Sequence, residues 1–145
     1  MFSFEAVPDF DFSSKAYAIL CMKAERTAFQ HPVWQVAIQR HLQSLHEVQP
    51  LTLVIRHVKS GALALVLSLI QKRRGPLRVF EYANLGFVDY ACAVIDRDFW
   101  LDILSLPELA MRVNQCLAPY NLLWIKHIRE DNLKILGLFD HARAN

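Results

Sequence analysis

Residues 51–70 read LTLVIRHVKSGALALVLSLI, and this stretch decides the fold. Residues 51–57 are aliphatic and β-branched, Lys59-Ser60-Gly61 is a turn signal, and residues 62–70 are apolar at nearly every position. Two β-prone runs joined by a short glycine turn predict an antiparallel hairpin. A run that is apolar on both faces predicts a strand covered from both sides, and therefore central in its sheet. That run falls well short of the ~20 residues that cross a bilayer as a helix.

Working outward, residues 71–76 (QKRRGP) read as a charged loop and residues 77–83 (LRVFEYA) as a third strand. Residues 90–95 (YACAVI) and 122–128 (LLWIKHI) supply a fourth and a fifth. On the N-terminal side, residues 14–46 form a helical opening segment. Ser13-Ser14 caps a first helix that carries Tyr17, Leu20 and Cys21 on one face. Pro32 starts a second helix, whose buried stripe is Trp34, Ile38, Leu42 and Leu45 and whose wet side holds Gln35, Gln39, Arg40 and Gln43. Pro50 closes this segment. Asp96 and Asp98 introduce a later helix with carboxylates at the positive end of its dipole. Ser105-Leu106-Pro107-Glu108 fits a capping box for the next one, and Asp131 caps a last helix over residues 132–139. The order predicts an α/β (α+β mixed) domain: a mostly antiparallel mixed sheet of about five strands with helices packed on it.

The chain has 145 residues, 54% of them hydrophobic, with 4 Gly and 6 Pro, a composition that excludes disorder and collagen-like repeats. One domain over residues 1–145 suits this length. The N-terminal MFSFEAVPDF carries acids where a secretory signal needs a basic patch, and Cys21, Cys92 and Cys116 have no metal or redox spacing. Both features lead to the expectation of reduced thiols and a cytoplasmic location. The net charge of +2 is unevenly spread: residues 51–95 hold six basic side chains against two acidic ones. Such a zone attracts an anionic ligand, or simply keeps a strand-rich segment soluble. No nucleic-acid partner is expected, because only residues 71–78 cluster basic groups.

The segment Phe29-Gln30-His31-Pro32-Val33-Trp34 resembles the F-Q-x-P-x-W opening of the GNAT-superfamily acyltransferases of the cellulose-biosynthesis (CelD) type. The likeness continues in order through Leu53–Arg56, the glycine turn, Lys72–Gly75, Arg78-Val79, Gly86 with Asp89-Tyr90, and Leu122–Ile125. It implies a GNAT-like fold corresponding to the N-terminal domain of a tandem pair. It also implies acetyl-CoA or another acyl-CoA as cofactor, a sugar, exopolysaccharide precursor or other small-molecule acceptor, and a second GNAT-like domain or a homo-oligomeric partner. In that superfamily a Q/R-x-x-G-x-G/A loop leading into a helix holds the CoA pyrophosphate on backbone N–H groups. Around Gly75 the matching positions are Lys72 and Leu77, and the loop runs into a strand pattern, so the cofactor site is expected in the second domain.

Acyl transfer to an amine needs a base for the ammonium proton and an acid for the leaving thiolate. Asp89 and Tyr90 are the catalytic candidates, with Glu81 and Tyr82 nearby in sequence. A carboxylate flanked by Val88 and Tyr90 is either partly desolvated, with a raised pKa, or a loop acceptor of backbone N–H bonds. Arg73 and Arg74 are candidates to hold an anionic substrate group bidentately, or are solvated charge. Phe29 and Trp34, from the family-like segment, complete the substrate-binding set. No metal site is expected, since His41 and His46 lie five apart on different helix faces.

Overall fold

The computed structural model describes residues 1–83, 92–117 and 119–125. Six strands and four helices follow in the order β1 (Phe2–Val7), α1 (Lys15–Lys23), a 3-10 turn (Ala28–Gln30), α2 (Pro32–Gln43), β2 (Val48–His57), β3 (Leu63–Arg74), β4 (Leu77–Tyr82), β5 (Val94–Ile95), α3 (Trp100–Leu104), α4 (Leu109–Leu117) and β6 (Leu122–Trp124). The sheet runs β1-β2-β3-β4-β6, with β5 on β3. Every pairing is antiparallel except β4 with β6, which is parallel and reached through α3 and α4. A parallel neighbour requires such a crossover. The mixed, mostly antiparallel sheet is as expected; the added strand is β1, where Phe2, Phe4 and Ala6 alternate with polar positions.

Residues 51–70 form the expected hairpin. His57 N–H donates to Ala62 O at 2.9 Å, and Gly61 takes a φ of 67°, a conformation that costs a glycine nothing. β3 is buried without interruption from Leu63 to Ile70. Alternation sends its side chains to two cores. Leu65, Leu67 and Leu69 pack with Leu53, Ile55, Phe80 and Tyr82 under Ile103, Leu109, Val113 and Leu117 of α3 and α4. On the other face Val54 and Val66 meet Tyr17, Leu20 and Cys21 of α1, while Ile70 meets Ile38 and Leu42 of α2. The sheet is thus sandwiched between helices.

Local signals hold where a single residue controls them. Ser14 Oγ accepts from Tyr17 N–H at the start of α1, and Pro32 occupies the first turn of α2. Several expectations are corrected. The stripe of α2 is rotated: Gln35 is 2% exposed, whereas Trp34 and Leu45 are 41% and 37% exposed. Gln35 tolerates burial because Nε2 donates to Phe29 O at 2.7 Å and Oε1 accepts from Ser68 Oγ at 2.7 Å. Pro50 lies inside β2. It sits beyond the last β1 pair, Val7 with Thr52, on an edge stretch where a missing N–H is tolerated. Residues 71–74 are not loop but the end of β3. Gly75-Pro76 alone makes the turn, with glycine supplying a φ of 60°.

Asp96 does not serve a helix dipole. It is buried, 3.4 Å from Lys23 Nζ, and its Oδ1 accepts from Asp98 N–H. Ser105 does not open a helix; it ends α3, and Ser105 Oγ donates to Asp102 O. The expected last helix at residues 132–139 lies outside the described residues, as do residues 90 and 91 of the expected strand at residues 90–95, of which Val94–Ile95 form β5. Among the described residues no helix is long and apolar enough to cross a membrane.

Candidate functional site

β2, β3 and β4 run past their helical cover at one end. There the last residues of β3 change from buried to exposed: Gln71 and Lys72 are half-buried, Arg73 and Arg74 exposed. Strand alternation divides these four between the two faces. Lys72 and Arg74 share the face of Glu81. Lys72 Nζ lies 2.7 Å from Glu81 Oε2 and Arg74 Nη2 lies 3.1 Å from Glu81 Oε1. The Arg74 guanidinium also sits 5.2 Å from the centre of the Trp124 ring, a cation–π contact. Glu81, a sequence-level candidate for proton transfer, is therefore held between two cations.

Gln71 and Arg73 occupy the opposite face. In the register Gln71 stands beside Gln49, and Arg73 directly opposite Arg78. Asn121 fixes the Arg78 backbone, its side-chain oxygen accepting from Arg78 N–H at 2.8 Å and its N–H donating to Arg78 O at 2.9 Å. Around these strand ends opens a cleft of roughly 680 Å³, lined by His46, Glu47, Gln49, Gln71, Lys72, Arg73 and Arg78. It carries three cations against one carboxylate, and one of those cations is already paired with Glu81. Arrangements of this kind bind anions.

Phe29 and Trp34 do not line this cleft. They belong to a capped junction that joins the 3-10 turn to α2, where their rings meet edge-on at 5.6 Å. The junction is organised by Gln30, which is 1% exposed. Gln30 Oε1 accepts from Thr27 N–H at 2.9 Å and Thr27 Oγ1 at 2.6 Å, a reciprocal capping box. Gln30 Nε2 donates to Tyr82 Oη at 2.9 Å, and Gln30 O accepts from Tyr17 Oη at 2.7 Å. Tyr82 Oη in turn faces Cys92 O at 3.4 Å. The network fills the place where β3 exchanges β4, paired at residues 69–74, for β5, paired at residues 65–66. Gln30→Leu keeps the volume but strips the cap and the Tyr82 partner. It is expected to cost about 1–3 kcal/mol, the range for orphaned buried polar groups, measured as a lowered urea midpoint. An unchanged midpoint would show that the network contributes nothing.

Burial pushes the Tyr82 phenol up to about 12, with the Gln30 hydrogen bond opposing the shift, and pushes Tyr17 higher still. Neither is placed to exchange protons near neutral pH. The Cys21 and Cys116 thiols are also raised by burial, which keeps them protonated and poorly nucleophilic. Asp89 and Tyr90 lie outside the described residues. Among the described residues no group of three or more His, Cys, Asp or Glu side chains is placed to hold a metal ion.

Sequence reasoning gave no site role to Gln30, Gln35, Gln49, His46 or Arg78. Two of these had a readable signal: T-x-x-Q at Thr27 and Gln30 is a capping-box spacing, and a two-residue Gly-Pro turn pairs residue 73 with residue 78. The chain matches no family model, no curated protein and no solved structure.

Proposed function

We propose that this chain is a GNAT-like acyltransferase domain, the N-terminal half of a tandem enzyme. It would work with an acyl-CoA-binding partner to acylate an amine or hydroxyl of a sugar, exopolysaccharide precursor or small metabolite. The observation that carries this reading is the Phe29–Trp34 segment in its setting. It folds as a capped junction between α1 and α2, inside the helical opening that precedes a sheet whose antiparallel run ends in a parallel strand reached through helices. In this reading the domain shapes the acceptor site, the basic cleft holds an anionic part of the acceptor, and Asp89 and Tyr90 carry the proton transfers.

The residues around Gly75 do not fit the CoA pyrophosphate. Gly75-Pro76 joins two strands, so no helix N-terminus follows to present its N–H groups. A second GNAT-like domain, or another copy of the chain, would supply that site. Calorimetric titration of the chain alone with acetyl-CoA is therefore expected to show no saturable binding. Thiol release from acetyl-CoA with amino-sugar acceptors is expected once a second GNAT-like domain is added, and Asp89→Asn should abolish it. Micromolar binding by the chain alone would move the cofactor site onto this domain; no release in any pairing would overturn the acyltransferase reading.

A second reading, a non-catalytic interaction or ligand-binding module of the same fold that pairs with a second domain, draws support from Glu81 and Tyr82. Both are tied into structural bonds, Glu81 by Lys72 of the donor-rich cleft and by Arg74, and Tyr82 by Gln30. It expects ligand binding that survives Asp89→Asn, with no turnover.

A further inference from the structure

The geometry points to a binding site for a phosphomonoester dianion, carried on a small polyhydroxylated molecule, at the cross-strand Arg73–Arg78 pair. Like charges placed directly opposite across an antiparallel ladder are destabilising unless something lies between them. The neighbouring cations are satisfied, since Lys72 and Arg74 both reach Glu81 on the other face. Neither Arg73 nor Arg78 has a carboxylate within ion-pair distance among the described residues. Two planar guanidinium groups one strand apart match the oxygens of a single phosphate, each able to donate two parallel N–H bonds.

The next rung on the same face specifies what the phosphate is attached to. Gln71 stands opposite Gln49, roughly 7 Å along the strand from Arg73. Each amide offers both donors and an acceptor, the pattern that reads hydroxyl groups. Glu47 and His46 close the rim of the cleft. A carboxylate there repels a second phosphate and accepts from hydroxyls, which favours a monoester over a polyphosphate. Among the described residues the lining holds no Phe, Tyr or Trp side chain, so a base lacks a broad aromatic platform on which to stack. The cleft's roughly 680 Å³ suits a sugar-sized ligand. The site stands on this geometry whether or not the chain takes part in acyl transfer. Only the further step, that the acceptor is then a sugar phosphate, rests on the reading above.

The test uses glucose 6-phosphate as probe, with glucose and inorganic phosphate as separate arms, followed by calorimetry and by the Arg side-chain N–H signals in NMR. Glucose 6-phosphate is expected to bind saturably and more tightly than inorganic phosphate, with glucose silent and affinity falling as salt rises. Arg73→Gln and Arg78→Gln should each weaken it about tenfold or more, the loss expected for one charge-assisted contact. Arg74→Gln, on the opposite face, should leave it unchanged. Unchanged circular dichroism keeps the variants interpretable, since Arg73 is exposed and Arg78 only half-buried. Absence of saturable binding, or binding that survives both Arg substitutions, overturns the site. Equal affinity for inorganic phosphate overturns the polyhydroxyl part. Because the readout is binding, failure of acyl transfer leaves it untouched.

Discussion

Phe80→Ala is expected to destabilise the protein by about 3–5 kcal/mol, the range for truncating a buried phenylalanine. Phe80 is 2% exposed and sits on β4 between Gln71 of β3 and Leu123 of β6. Its ring meets Tyr120 edge-on at 5.7 Å and packs in the core beneath α4. The loss therefore combines transfer of the ring to water with a cavity at the parallel junction of β4 with β6. Against a total stability of about 5–15 kcal/mol, that is a large share. Urea titration should show a lower midpoint with the slope unchanged. Leu77→Ala, at an exposed position of the same strand, is the control and should shift stability by no more than about 0.5 kcal/mol. A Phe80→Ala loss as small as the control's would mean that β4 is not packed as described.

Stability should also fall steeply at alkaline pH. In the unfolded chain Tyr82 titrates near 10, whereas in the fold its phenol is pushed up to about 12. Between these values the unfolded state binds fewer protons than the native one, so unfolding free energy decreases as pH rises. The contribution is fully present below pH 10 and lost by pH 12; two units correspond to on the order of 3 kcal/mol from this one group. Tyr17, raised further by burial, extends the decline in the same direction. Cys21 and Cys116, raised from 9.0, start the decline earlier. Lys23, raised by Asp98 and Asp96, also loses its contribution on deprotonation. The Tyr82 share is isolated by comparing urea midpoints of the parent and Tyr82→Phe from about pH 9 to about pH 12. The variant should start less stable and decline less. Parallel curves would show that Tyr82 does not titrate in this window.

How far the fold was legible varies with how local each signal is. The cap at Ser14, the helix start at Pro32 and the turn at Gly61 act within a few residues of chain, and each appears where the sequence puts it. β1 had its own signal in the alternation of Phe2, Phe4 and Ala6, but one edge strand with a mixed face competes poorly with the aliphatic runs that follow. α2 shows the limit of patterning. Trp34 has the greater apolar surface, yet the sheet takes Gln35, because Ser68 and the Phe29 carbonyl are waiting for both ends of an amide. No pattern in one helix contains that information.

The candidate site divides in the same way. The basic zone from Lys72 to Arg78 was visible as charge, and Arg73 and Arg74 looked equivalent. Alternation along β3 makes them different. Arg74 turns to Glu81 and Trp124, and Arg73 turns to Arg78 and the cleft. That separation required reading residues 71–74 as strand, which the charge run concealed.

Apart from β1, the sequence by itself determined the order of the described helices and strands, the buried central hairpin and the middle third's positive charge, because each follows from composition and period over short spans. The tertiary structure alone decided which polar groups are buried in pairs, as Gln30 is with Tyr82 and Asp96 with Lys23. It also decided which cations at the cleft have no carboxylate partner among the described residues. The physical reason is that desolvation and ion pairing depend on partners as many as 75 positions away in the chain, as between Lys23 and Asp98. A group's neighbours along the sequence do not reveal those partners.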